Sequence, residues 1–274
     1  MAVFEVRALV ITGAVGTILA LGSVAPALAQ EDNEPAACPP GLVQQGTAGD
    51  DSLIGTLGDD RINSLAGDDI VTSLTGSDCI IGGDGFDIVQ GGPGADTIFG
   101  QGTDDDLTGG ADNDRIFGGE GFDFIDGGLG NDTLRGESGP DDISGANGDD
   151  VIGGGDDFDF LSGGIGDDRV VGGGDRDDIS GGLGEDRLSG GTGNDRISGG
   201  LGDDRLSGGT GNDRLDGGRG RNVITGGSGN DVIDAANGDV ERINCGSGRD
   251  TVRADANDRL RSCERIFRLR LVNR

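Results

Sequence analysis

The stretch Gly181–Ser207 reads GGLGEDRLS GGTGNDRIS GGLGDDRLS, which is three copies of a nine-residue unit joined end to end. Twenty-one such units run from Gly46 to Asp234 without an insertion or deletion, and their consensus is GGxGxDxUx, with U aliphatic. Position eight is Leu, Ile or Val in every unit, and position six is Asp in every unit except one, which has Asn222. A strict period of this length predicts one small structural unit stacked many times.

The composition argues against an ordinary globular core. Of 274 residues, 60 are Gly and only 3% are aromatic, while Trp, Tyr and His are absent and the formal net charge is −30. High charge with low apolar content is typical of disordered chains. Repulsion among so many carboxylates opposes compaction unless cations intervene. The negative charge also argues against nucleic acid as a partner, because the phosphate backbone is bound by basic surfaces.

Residues 1–29 have the layout of a secretory signal peptide. Arg7 precedes an uncharged stretch that ends in Ala27-Leu28-Ala29, an A-x-A cleavage motif before Gln30. An uncleaved membrane anchor is the alternative, since the stretch is about long enough to span a bilayer. No later segment is apolar enough to cross a membrane. We therefore expect a secreted, extracellular protein with no membrane span after cleavage.

Four cysteines lie near the two ends of the repeat array: Cys38, Cys79, Cys245 and Cys263. Export to an oxidising compartment favours disulfides, and four cysteines allow three pairings. We favour Cys38–Cys79 and Cys245–Cys263, one staple at each end, over four free thiols. Zinc is not expected, because the spacings are unsuitable and His is absent.

Each unit is predicted to form a tight turn followed by a short strand. In the unit 190–198, glycines allow the positive φ values that other residues avoid, and Arg196-Ile197-Ser198 forms the strand. Because strand side chains alternate, Ile197 faces inward and its neighbours face water. Two units, or 18 residues, close one coil, and coils stack at about 4.8 Å. The prediction is an all-β fold: a parallel β-roll, or right-handed β-solenoid, of about ten coils with short disulfide-stapled caps.

The turns are predicted to bind calcium through oxygen atoms. Calcium takes about six to eight oxygen ligands in a tolerant geometry, whereas magnesium demands a stricter octahedron. Each turn offers glycine carbonyls and the carboxylate at position six. The alternative is that these Asp residues only cap their turns through backbone hydrogen bonds, but capping does not require Asp over Asn in twenty units of twenty-one. The candidate metal ligands are Asp51, Asp60, Asp69, Asp78, Asp87, Asp96, Asp105, Asp114, Asp123, Asp132, Asp141, Asp150, Asp159, Asp168, Asp177, Asp186, Asp195, Asp204, Asp213 and Asp231.

The repeat resembles the RTX nonapeptide of hemolysin-type calcium-binding proteins, most clearly in Gly127–Arg135 and Gly181–Ser207. This resemblance implies that each ion lies between turns one coil apart, so Asp186 would share an ion with Asp204. Twenty-one units paired in this way give at most about nineteen sites. The flanks, including the tail that follows Asn244, more loosely resemble those of exported actinobacterial calcium-binding proteins.

Several units depart from the consensus and should bind more weakly. Position four is not glycine in the units that contain Thr103, Asp112, Asp157 and Asp175, and Asn222 replaces the position-six Asp.

The two ends of the chain are predicted to cap the roll, because an open coil exposes strand edges and apolar side chains. Residues 30–45 form a leader that holds Cys38. Residues 235–274 contain a degenerate unit, Cys245–Arg253, and a basic tail, Arg259–Arg274. A secretion signal or a cell-wall contact is the alternative role of that tail.

The predicted function is a non-catalytic, secreted calcium-binding structural or interaction module. An enzyme is not expected, because the chain has no His and no G-x-S-x-G elbow. The alternative is an adhesin or a toxin-like effector that uses the roll as a scaffold. Phe122 and Phe124 recur 36 residues later as Phe158 and Phe160, and such an exposed stripe would suit a cell-surface or extracellular protein or glycan partner. Scattered apolar surface residues are the simpler interpretation.

Overall fold

The computed structural model describes residues 42–269. The predicted signal peptide, most of the leader with Cys38, and the last five residues lie outside the described residues. Within this range the chain forms 26 β-strands and no helix, so no described segment is a helix able to span a membrane.

The strands form two parallel sheets of 13 strands each, and successive strands along the chain alternate between them. The first sheet contains β1 Leu42–Gln45, β3 Asp60–Ala66, β5 Cys79–Asp84, β7 Thr97–Gly102, β9 Arg115–Glu120, β11 Thr133–Ser138, β13 Val151–Asp156, β15 Arg169–Gly173, β17 Arg187–Thr192, β19 Arg205–Thr210, β21 Val223–Ser228, β23 Arg242–Ser247 and β25 Arg259–Arg261. The second sheet contains β2 Ser52–Ile54, β4 Ile70–Thr72, β6 Ile88–Pro93, β8 Asp106–Ala111, β10 Phe124–Leu129, β12 Asp142–Asn147, β14 Phe160–Ile165, β16 Asp178–Leu183, β18 Arg196–Leu201, β20 Arg214–Asp216, β22 Val232–Ala235, β24 Thr251–Asp255 and β26 Arg265–Leu269.

The register confirms the predicted length of the coil, which is two repeat units. Ile197 in β18 pairs with Ile179 in β16 on one side and with Leu215 in β20 on the other. Ser144, Ser162 and their successors at the same spacing form a ladder on one sheet, as their spacing predicts. The chain is therefore an all-β parallel solenoid.

The core is one aliphatic row between the sheets. Every position-eight residue from Leu53 to Ile233 is buried, with an exposed fraction of 8% at Leu53 and 3% or less at the others. In β18 the burial alternates: Arg196 is exposed, Ile197 is buried and Ser198 is half-buried. The burial of these side chains at about 25 cal/mol per Å² is the main apolar contribution to stability.

The strands are longer than the sequence predicts. Most have six residues and continue from positions seven to nine into the first three positions of the next unit, as in Arg196–Leu201. Position two there has a positive φ, 102° at Gly200, and position four, Gly202, has φ 150°. The glycines at positions one and two thus belong to the paired strand, and only positions four to six form the turn. Glycine in a sequence predicts a turn, but here its positive φ bends a strand that stays paired.

The solenoid is also longer than predicted, with about thirteen coils instead of about ten. The C-terminal segment expected only to cover the last coil continues both sheets as β23 to β26. Its inward residues, Ile243 and Val252, join the buried core, and Leu260 packs against it. The coil length changes there: hydrogen bonds between corresponding turns span 18 positions in the array, whereas the C-terminal ones span 19, 17 and 14.

The predicted C-terminal disulfide is confirmed. Cys245 and Cys263 are bonded, with Cα atoms 5.2 Å apart. Cys79 is also disulfide-bonded, but its predicted partner Cys38 lies outside the described residues. The pairing at the N-terminal end therefore stays a prediction.

A ladder of buried carboxylates at the turns

The position-six residues form two ladders, one in the turns that lead into each sheet. Each side chain is held by the coil before it: the Asp168 backbone N–H donates to Asp186 Oδ1 at 2.9 Å, and the Asp186 N–H donates to Asp204 Oδ1 at 3.0 Å. The same bond recurs from Asp51, whose N–H reaches Asp69, up to Asp213, whose N–H reaches Asp231. One carboxylate oxygen of each residue is therefore committed to the backbone.

The second carboxylate oxygen has no partner. In eighteen of the predicted ligands Oδ2 is buried and accepts no hydrogen bond. These eighteen are Asp69, Asp78, Asp87, Asp96, Asp105, Asp114, Asp123, Asp132, Asp141, Asp150, Asp159, Asp168, Asp177, Asp186, Asp195, Asp204, Asp213 and Asp231. Buried carboxylates are costly unless they are paired or bind a metal, so this repeated orphan atom requires an explanation.

Sixteen of the eighteen orphan oxygens lie in a small notch beside the position-one glycine of their own unit; the other two, in Asp69 and Asp78, belong to units that begin with serine. A Cβ built on Gly199 would lie 2.5 Å from Asp204 Oδ2 and 2.6 Å from the carbonyl oxygen of Gly217, one coil further on. The same pair of oxygens surrounds Gly127, at 2.5 Å from Asp132 Oδ2 and 3.0 Å from a carbonyl oxygen. Glycine at position one leaves this oxygen-lined notch open. In the two units that begin with Ser64 and Ser73, the serine hydroxyl instead donates to the position-one carbonyl of the next coil, that of Gly82 or Gly91.

Burial changes the acidity of the ladder. Loss of solvation is the largest cause, opposed by the backbone N–H and reinforced by carboxylates in neighbouring coils. Together these effects raise the pKa of Asp105, Asp114 and Asp177 to about 8. They raise the pKa of Asp204 and Asp231 to about 6. Without a cation, much of the ladder would hold protons near neutral pH, which is the behaviour of acids buried without a counter-charge.

Basic side chains do not neutralise the ladder. The ion pairs within residues 42–269 join Arg196 to Asp178, Arg221 to Asp203, and Arg253 to Asp234, and none involves a position-six aspartate. These three pairs lie on the outer surface.

The donor set of the notch fits a hard cation. It consists of a carboxylate oxygen and glycine carbonyls, with no thiol or imidazole, since the chain has no His and its four cysteines lie near the ends of the array. Oxygen-only sites suit calcium, which tolerates irregular geometry. The position-six carboxylate and the position-one carbonyl of the next coil are therefore the groups that would hold calcium.

Three of the twenty-one position-six residues are satisfied in another way. Asp51 accepts hydrogen bonds at Oδ2 from the N–H and hydroxyl of Thr47, at 2.6 and 2.9 Å. Asp60 accepts the same two bonds from Thr56, at 2.5 and 3.1 Å. Asn222 donates from Nδ2 to the Gly217 carbonyl at 2.8 Å. At the first two turns the aspartate thus caps its own turn, which is the alternative considered from the sequence.

Four acidic residues outside the array also occupy position six: Glu241, Asp250, Asp258 and Glu264. Their register follows from the pairing of the residue after each of them, as in Arg242 with Arg259. Asp250 Oδ2 is buried and unpartnered, like the array residues. Sequence reasoning missed them because their spacing departs from nine. The available signal was an acidic residue two positions before each of Ile243, Val252, Leu260 and Ile266.

The predicted phenylalanine stripe is partly self-paired. Phe122, Phe124 and Phe160 are exposed. Phe158 packs edge-to-face on Phe160 at 4.6 Å, and the Arg176 guanidinium lies 5.4 Å from the Phe158 ring centre.

Comparison with known families gives one result. The family model described as the RTX calcium-binding nonapeptide repeat (4 copies) matches in overlapping segments that together span residues 45–240. The segments are 45–80, 81–116, 108–143, 117–152, 144–179, 153–188, 180–215 and 207–240. No curated protein matches the chain.

Proposed function

Because the chain belongs to the family of RTX calcium-binding nonapeptide repeat proteins, we propose that it is a secreted, non-catalytic β-roll that folds on binding many calcium ions outside the cell. The observation that carries this proposal is the set of eighteen buried carboxylate oxygens without a partner. Each is a missing contact of the same kind, at the same place in the repeat.

Calcium would supply the positive charge that the fold lacks. Bringing this many carboxylates together in a chain of net charge −30 is opposed by desolvation and by mutual repulsion. Binding to the folded chain alone stabilises that state in proportion to the logarithm of free calcium. At about 1 mM calcium, a site with a dissociation constant of about 0.1–1 mM contributes roughly 0.4–1.4 kcal/mol. With up to about nineteen such sites predicted, the total of roughly 8–27 kcal/mol equals or exceeds the stability of an ordinary domain, about 5–15 kcal/mol.

Secretion is part of the proposal. The predicted signal peptide, residues 1–29, would direct export, and the Cys245–Cys263 disulfide fits an oxidising compartment. A low-calcium cytoplasm would leave the chain unfolded, and it would fold where calcium is plentiful.

The test is a calcium titration of the purified chain from residue 30 onward at pH 8, followed by far-ultraviolet circular dichroism and equilibrium dialysis. We expect a disordered spectrum in excess chelator, a cooperative rise of sheet signal with calcium, and on the order of eighteen bound ions if each orphan oxygen marks one. Magnesium is the control and should not replace calcium, because it requires a stricter octahedron. A sheet-rich spectrum in chelator, or only one or two bound ions, would contradict the proposal.

A second candidate is an adhesin that uses the roll as a scaffold, favoured by the exposure of Phe124 and Phe160. A double Phe124→Ser and Phe160→Ser chain should then lose a surface-bound partner in a calcium-dependent pull-down. The control is an unchanged calcium titration of the same chain. Retention of the partner by the double variant would remove this candidate.

A further inference from the structure

A separate group of acids lies beyond the residues that match the family. Glu241, Asp255 and Asp258 each place a carboxylate oxygen within 4.8 Å of the others. All three are buried, with exposed fractions of 0%, 4% and 5%. They come from two turns that lie one coil apart, and that coil spans 17 positions instead of the 18 of the array.

Glu241 departs from the ladder. Every position-six side chain from Asp69 to Asp231 accepts the backbone N–H one coil back, and Glu241 should accept that of Asn222. Instead, both Glu241 carboxylate oxygens are buried without a hydrogen-bond partner. The side chain leaves the ladder and turns toward Asp255 and Asp258.

The other two acids are fixed in place by backbone donors. Asp255 Oδ2 accepts the Gly238 N–H at 2.7 Å, and Asp258 Oδ1 accepts the Glu241 N–H at 3.1 Å. Over residues 42–269, no basic side chain forms an ion pair with any of the three acids. Arg268 lies close, but its guanidinium donates to the backbone carbonyls of Asp255 and Ala256. Among the described residues, these three carboxylates are therefore not neutralised by an ion pair.

We propose that Glu241, Asp255 and Asp258 form a distinct calcium-type cation site that closes the C-terminal coil. Calcium is favoured because the ligands are oxygen only and three carboxylates converge on one point, whereas an array notch has one carboxylate. The ion would join the segment before β23 to the turn after β24, next to the Cys245–Cys263 staple. The site shares no acid with the array, so it does not depend on the function proposed above.

Protons held between the acids are the competing explanation. Burial is the largest effect and the Asp258 carboxylate adds to it, and together they raise the pKa of Glu241 to about 8. The experiment must therefore separate a bound metal from a shared proton.

The first test uses terbium as a calcium probe. The chain has no Trp or Tyr, so Val240→Trp places a single sensitiser beside Glu241 in the full chain. Terbium added to this chain should give Trp-sensitised emission that calcium displaces. Adding Glu241→Gln should weaken terbium binding by roughly tenfold or more, because ligand charge sets affinity. Asp239→Asn, which neutralises an exposed neighbouring carboxylate, is the matched control and should leave binding unchanged. Equal emission in the Gln and Asn chains would overturn the proposal.

The second test guards against a cap that merely fails to fold. Hydrogen exchange of residues 236–262 is measured for the natural chain and for Glu241→Gln, in calcium and in chelator at pH 8. If a cation is bound, the substitution should speed exchange in calcium by about tenfold, because a ligand of the ion is lost, and it should not speed exchange in chelator, where no ion is held. Slower exchange in both media would show that the acids only repel each other, and the proposal would fail. The two proposals can fail separately, because circular dichroism measures folding of the array and terbium emission measures binding at this site. If calcium does not fold the array but terbium emission persists, only the function proposed above is contradicted.

Discussion

The first two turns of the array and its later turns carry the same aspartate at position six, yet they satisfy it differently. At Asp60 the N–H and hydroxyl of Thr56 donate to the carboxylate. At Asp186 the corresponding oxygen is buried and has no donor. The two turns also differ at position two, where Thr56 does not have a positive φ and Gly182 has φ 114°. One residue type is thus a turn cap in one region and a candidate metal ligand in the other.

The largest expected effect that separates the two regions is pH dependence without calcium. Burial raises the pKa of the eighteen array carboxyls with an orphan oxygen, to about 8 at Asp105 and Asp177, so the folded chain binds more protons than the unfolded chain. Stability from protonation is therefore complete below about pH 4 and is lost as pH rises through 6 to 8. In chelator, the sheet signal in circular dichroism should fall between pH 5 and pH 8.

In calcium the same scan should stay flat, and calcium binding at pH 6.5 should release protons in a pH-stat measurement. A calcium-free chain that gains sheet signal as pH rises would be inconsistent with a ladder of buried acids.

The second effect comes from matched pairs of substitutions. Asp186→Asn with Asp204→Asn removes two orphan carboxylates, whereas Asp51→Asn with Asp60→Asn changes two capped ones. In about 1 mM calcium the array pair should lower stability by roughly 2 kcal/mol, about 1 kcal/mol for each weakened site, and should shift the folding midpoint to higher calcium. The pair at the first two turns should leave that midpoint unchanged. Equal shifts in the calcium titration would remove the distinction between the regions.

The third effect tests position two directly. Thr56→Gly removes the hydroxyl donor to the Asp60 carboxylate and gives this turn the glycine found at position two of most array units. Without calcium it should cost about 1 kcal/mol, because a buried acceptor loses one of its hydrogen bonds. Hydrogen exchange of residues 55–63 should then become calcium-dependent. Thr192→Gly, at the exposed third position of an array unit, is the control and should not change the calcium dependence of its own segment.

The smallest effect concerns the strained residues at position two. Ala146 has φ 67°, although L-residues avoid this region at a cost of about 1–2 kcal/mol. Ala146→Gly should stabilise the calcium-bound chain by about 1 kcal/mol in thermal unfolding. Ala111, in β8, has no positive φ, so Ala111→Gly should instead destabilise by about 0.5–1 kcal/mol. The same sign for both substitutions would mean that position two imposes no strain.

The repeat made much of the fold predictable. A constant period fixes the register, so the coil of two units, the inward row from Leu53 to Ile233 and the outward serine ladder followed from spacing alone. The Cys245–Cys263 staple was predicted as well. These features depend on regularity, which a sequence displays directly.

The irregular features were not predictable in the same way. After Asp234 the spacing between corresponding turns is 19, then 17, then 14, and a changing period hides the acid at position six and the aliphatic residue two places later. The long strands were missed because glycine is ambiguous between a turn and a bent strand. The capping role of Thr47 depends on the local backbone conformation, which the residue type alone does not predict. Calcium ligation by the array aspartates stays a prediction until ions are counted.

The hydrogen bonds along the ladders give the roll a direction. From Asp51 to Asp213 each position-six residue offers its N–H to a side-chain oxygen that arrives one coil later, so over this range a chain emerging N-terminus first ends in an amide awaiting the next coil. Templated growth of this kind would continue for as long as suitable acids arrive. The last such bond among the described residues, from the Asp250 N–H to Glu264 Oε2 at 3.0 Å, spans a shorter loop than any other in the series, so the growing edge ends on a coil that is four residues shorter than an array coil.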